Sequence, residues 1–162
     1  MKMETRSVEA PQQIHIVNPT LKRLDVLVGE WDMEISGISF MPDPPARVRG
    51  KVSFEWIESG AFLLVHSGTD LGVPPAAIEV IGCDESAETY TMLYFDSRGV
   101  SRVCEMILKD GIWKIWRNSQ GFSQRFTGTF SRDGNTITGS WEKQTDGVNW
   151  EHDFDLTYTK IE

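Results

Sequence analysis

Trp150-Glu151-His152-Asp153-Phe154-Asp155-Leu156-Thr157-Tyr158-Thr159-Lys160 alternates apolar residues with acidic or hydroxyl ones almost without a break. A period of two belongs to a strand with one buried and one wet face. The buried register carries Trp150, Phe154, Leu156 and Tyr158, and it also carries His152. An imidazole aimed into an apolar interior is the residue here that hints at chemistry.

Working outward, the same alternation recurs along the chain. In residues 30–38, Trp31, Met33 and Ile35 face in while Glu30, Asp32 and Glu34 face out. In 47–57, Val48, Val52, Phe54 and Trp56 face in while Arg47, Arg49, Lys51 and Glu55 face out. Those cations offset the acidic ladder of the preceding strand. Further strands are expected at 61–69, 78–83, 89–96, 100–108, 112–118, 123–131, 136–144 and 149–160. Residues 61–69 are apolar on both faces at first. The even register would turn Phe62, Leu64 and His66 inward, but alternation alone fixes the register neither there nor in 89–96.

Ser97-Arg98-Gly99, Asp110-Gly111, Asp133-Gly134-Asn135 and Asp146-Gly147 separate these strands as turn signals. Spacing this close leaves no room for crossover helices and demands an antiparallel meander. The expected fold is all-β: a ten-stranded antiparallel up-and-down β-barrel, because closure removes the edges an open sheet would expose. Eight strands already leave space for a small ligand, so ten imply an interior cavity.

Asn18-Pro19-Thr20 reads as a helix start, with Asn or Thr as cap and Pro in the first turn. Leu21, Leu24, Leu27 and Val28 share a face, and Gly29 ends the turn. So short a helix needs packing to persist, and it is expected to plug one end of the barrel. Residues 1–17 are polar and unpatterned and read as a flexible tail; 18–162 read as one barrel domain.

The chain has 162 residues, with six Trp, eight Phe and three Tyr, enough apolar area for a core without a disulfide or metal staple. A net charge of −8 without any cluster of Lys and Arg argues against nucleic acid. Cys83 and Cys104 form no CxxC pair and read as reduced thiols. Met1-Lys2-Met3-Glu4 is not a secretory opening, and no apolar run approaches the ~20 residues of a membrane helix. A cytoplasmic location follows as the expectation.

Val28-Gly29-Glu30-Trp31, after a short helix and opening the first strand, resembles the Gly-x-Trp signature of the calycin superfamily, which includes lipocalins, fatty-acid-binding proteins and nitrobindins. Leu27-Val28-Gly29-Glu30-Trp31 and Glu55-Trp56-Ile57 also resemble stretches of bacterial lipocalin-like domains of unknown function. The resemblance spans Leu21 to Lys160. It implies that Trp31 plugs the closed end of the barrel and that a basic side chain, for which Lys160 is the candidate, packs over it. Nitrobindins carry haem on an interior histidine near the C-terminus, so the resemblance offers His152 as a haem ligand. Their Gly-rich opening after the Trp is not evident here.

GxSxG, GxxxxGK[ST] and HExxH are all missing, so the reading leans toward binding rather than catalysis. The expected ligand is a small apolar or amphipathic molecule, with no resident cofactor. Trp31, Met33, Phe54, Trp56, Met106 and Phe126 supply the expected apolar wall. Trp141, Phe154, His66 and His152 complete it, and Arg102 is the candidate cation to clamp a ligand carboxylate should it point inward, which alternation does not decide. Two alternatives stand beside this reading. One is a filled barrel whose outer wall forms a homodimer; the other is a haem protein using His152.

Overall fold

The computed structural model describes residues 18–84 and 87–161, so the expected N-terminal tail lies outside the described residues. Asn18 caps the first helix as its sequence implies: its side chain accepts the Thr20 amide at 2.9 Å. The helix is short, with α1 (Pro19–Lys22) running into a 3-10 turn over Arg23–Val26. Leu24 and Leu27 are fully buried. Gly29 does more than end the turn. It opens the first strand with φ at +123°, a conformation L side chains rarely adopt.

Ten strands follow: β1 (Gly29–Ser36), β2 (Arg47–Ile57), β3 (Phe62–Thr69), β4 (Ala77–Cys83), β5 (Tyr90–Asp96), β6 (Ser101–Lys109), β7 (Ile112–Arg117), β8 (Ser123–Phe130), β9 (Thr136–Gln144) and β10 (Glu151–Lys160). Each pairs antiparallel with its sequence neighbours, and β1 pairs with β10 to close the barrel. The cations of β2 reach the acids of β1 as expected: Arg47 and Arg49 lie 3.3 and 3.8 Å from Glu34, and Lys51 lies 3.9 Å from Asp32. No helix among the described residues is long and apolar enough to cross a membrane.

The structure settles one register that alternation left open and corrects another. In β3, Leu63 and Val65 face in, while Phe62 and His66 are exposed. The β2–β3 turn sets this phase by pairing Trp56 with Leu63 and Phe54 with Val65. A strand apolar on both faces cannot choose its own phase, so its partner chooses it.

In β10 the ladder with β9 shifts between His152 and Phe154. His152 pairs with Glu142 and Phe154 with Trp141, leaving Asp153 as the extra residue of a β-bulge. The bulge buries Asp153 at 4% exposure, turns His152 to the outer wall and carries Trp150 out with it. Trp150 lies under the Arg125 guanidinium, 4.2 Å from ring centroid to Cζ. His152 Nε2 lies 3.0 Å from Asp155 Oδ1.

The helix end of the barrel is solid. Trp31 is fully buried, donates its indole N–H to the Leu27 carbonyl at 2.8 Å, and carries Lys160 Nζ 5.2 Å above its ring. Trp113 packs edge-on to Phe54 and Phe126, with centroids 6.1 and 5.3 Å away. Gly139 makes room for Phe126, because a Cβ there would sit 2.6 Å from the ring. Tyr90 donates its hydroxyl to the Thr20 carbonyl and ties α1 to β5.

Candidate functional site

Above this filled half the barrel is hollow. A cavity of about 410 Å³ opens at the end away from α1. Its apolar wall includes Met33, Ile35, Met92, Trp141, Phe154 and Leu156. Tyr158 joins the two halves: its ring lies 6.0 Å from that of Trp113 and also lines the cavity.

The expected site residues divide between these halves. Met33, Arg102, Trp141 and Phe154 line the cavity. Trp31, Phe54, Met106 and Phe126 are buried in the solid half instead. Trp56 sits beside the helix, where its indole N–H donates to Asp25 at 2.8 Å. His66 and His152 do not belong to the site, because the β3 pairing and the β10 bulge put both on the outer wall. A haem seated in this cavity therefore cannot take His152 as its axial ligand.

The polar lining comes mostly from residues that alternation did not single out. At the mouth, Lys143 Nζ lies 3.2 Å from Asp153 Oδ1, and Ser39 Oγ donates to the same oxygen at 3.3 Å. Gln124 donates to Asp153 Oδ2 at 3.3 Å and accepts from Arg102 at 3.2 Å. Arg102 also lies over the rings of Phe122 and Tyr94, at 5.0 and 5.8 Å. Asp96 is held by Arg98 at 2.7 Å and accepts the Tyr94 hydroxyl at 2.9 Å. The Arg98 hydrogen bonds hold the Asp96 carboxyl well below the usual carboxylate range.

Glu79 also lines the cavity, facing in between buried Ala77 and Ile81. It pairs across β5 with Tyr94, which in turn pairs with Arg102 on β6. A carboxylate, a phenol and a guanidinium thus share one row of the inner wall. Burial pushes the Glu79 carboxyl up to about 7. Burial also raises the Tyr158 phenol and takes the Cys104 thiol to about 11, and the nearby Glu79 charge adds to both. The sequence signal was a lone acid inside the apolar run Ala77-Ile78-Glu79-Val80-Ile81.

No family model matches the chain, and no curated protein matches its sequence. A solved structure does: Rv2717c from M. tuberculosis matches with a TM-score of 0.65 and 11% identity, over 89% of this chain and 98% of its own. The likeness is one of fold. It supports a barrel of this kind and brings no ligand with it.

Proposed function

We propose that this protein is a calycin-like cytoplasmic barrel that reversibly binds one small amphipathic molecule. The observation that carries this reading is the half-filled interior. A barrel packed solid at one end keeps a mouth-side cavity of about 410 Å³, within the ~300–1,000 Å³ of ligand pockets. Its wall combines aromatic and aliphatic surface with a few convergent polar groups, the composition such pockets share.

Trp141 reports on occupancy because it lines the cavity. Native mass spectrometry of freshly purified protein, followed by titration of candidate ligands against tryptophan emission, tests the reading. A saturable emission change that is lost in Trp141→Phe supports it. A ligand-free mass together with flat titrations across apolar and amphipathic probes sinks it.

A second reading, self-association, rests on the outer wall. Ile78 pairs with Phe95 and Leu93 with Val103 on adjacent strands, and all four are exposed. A second copy of the chain covering this face would give a homodimer. Light scattering across a concentration series distinguishes a dimer, broken by Val103→Lys, from a monomer at every concentration.

A further inference from the structure

Each charged group at the cavity mouth already has company. Lys143 holds Asp153, Arg98 holds Asp96, and Arg102 is bonded to Gln124 and lies over two aromatic rings. Glu79 differs. It faces the cavity, yet among the described residues no side chain donates a hydrogen bond to it and no cation pairs with it. Glu79 is half-buried in the cavity wall; a carboxylate partly withdrawn from water without a partner is costly, and an arriving cation lowers that cost.

The surroundings suit such a cation. The rings of Tyr94 and Tyr158 and the thioether of Met92 line the same cavity, and aromatic faces attract ammonium groups. Arg102 stands two strands from Glu79 in the row, roughly 10 Å away at the backbone. We propose that the cavity's ligand is an organic amine, seated with its ammonium on the Glu79 carboxylate and its apolar body against Trp141 and Phe154. This inference rests on the cavity-binding reading above and names the class of ligand.

The groups facing Glu79 are Tyr94 from β5, Cys104 and Arg102 from β6, and Tyr158 from β10. The adjacent inward positions of β3, Val65 and Ser67, do not titrate. Across the mouth stand Arg98 and the Lys143–Asp153 pair. Burial raises the tyrosines and the thiol, so they keep their protons between pH 6 and 8, while Glu79 gives up its own.

The test is calorimetric titration of 4-phenylbutylamine, 4-phenyl-1-butanol and 4-phenylbutyrate, three probes of one shape and three charge states. At pH 8 the amine should bind at least tenfold more tightly than the alcohol. A carboxylate titrating near 7 makes the amine's affinity fall about tenfold from pH 8 to pH 6. The amine itself, with a pKa near ~10, stays charged throughout. Glu79→Gln should erase both the preference and the pH dependence and leave the alcohol's binding unchanged. Should that variant not fold, wild type still decides: at pH 7 amine binding should release about half a proton, measured in buffers of different ionisation enthalpy. An amine no tighter than the alcohol, an amine preference surviving in Glu79→Gln, or a tighter carboxylate seated on Arg102 overturns the inference but leaves the cavity reading standing. If none of the three binds at millimolar concentration, the cavity reading falls as well.

Discussion

At the scale of single residues, Glu79 links the site to stability. Its folded pKa is about 7, against 4.5 for the exposed group. The folded chain therefore binds more protons than the unfolded chain inside that window, and stability falls as pH rises through it. We expect a loss approaching ~1 kcal/mol per pH unit between pH 5 and 7, bounded by about 1.4. Glu79→Gln should flatten that slope and be more stable than wild type at pH 8 by about 2 kcal/mol in urea denaturation. An unchanged slope would mean that Glu79 is solvated. Asp153 makes the opposite case. Asp153→Ala leaves Lys143, 19% exposed, without its carboxylate and should cost about 2–4 kcal/mol, while Lys143→Met together with Asp153→Leu should recover much of the loss. The sequence half-displayed this chemistry. Glu79 was not singled out, although a lone acid in the apolar run 77–81 is a signal that could have marked it, and Asp153 was hidden by a bulge that alternation does not encode.

At the scale of elements, the helix and the first strand work as one lid. Gly29 has φ +123° with Lys160 Cε 3.5 Å from where its Cβ would be. Gly29→Ala should therefore destabilise by about 1–2 kcal/mol and lower the affinity of no cavity ligand. Loss of binding without loss of stability would place the lid inside the site instead. The plug of Trp31 and the cover of Lys160 were expected only through the resemblance that the Gly-x-Trp motif carries, and the structure has Lys160 Nζ 5.2 Å above the Trp31 ring. The β3 register was not readable in advance. Phe62, Leu64 and Val65 are equally apolar, and only the pairing with β2 selects Leu63 and Val65 for the interior.

At the scale of the whole molecule, the two halves of the barrel should respond differently to truncation. Phe126 is 2% exposed and touches Trp113 and Trp141, so Phe126→Ala should cost about 3–5 kcal/mol. Phe40 is 37% exposed at the mouth, edge-on to Phe154, and Phe40→Ala should cost less than ~1 kcal/mol while changing ligand affinity. Equal costs, read as denaturation midpoints, would contradict a half-filled barrel. The strand count and closure were legible because turns and alternation are local. How far the interior is filled was not, since Phe54, Met106 and Phe126 occupy inward positions in the same way as Met33 and Trp141. Distance along the barrel axis decides which of them meets a ligand, and no period in the sequence records it.

The bulge in β10 can also be seen as a slip of phase. Residues before and after Asp153 obey the same two-residue rhythm, offset by one beat, and the offset decides which chemistry the mouth holds. A single residue inserted into β9 between Trp141 and Glu142, opposite the bulge, would cancel the offset, send Asp153 outward and bring His152 in. A mouth lined by Asp153 and one lined by His152 with its partner Glu142 are thus one insertion apart, with every side chain of β10 unchanged.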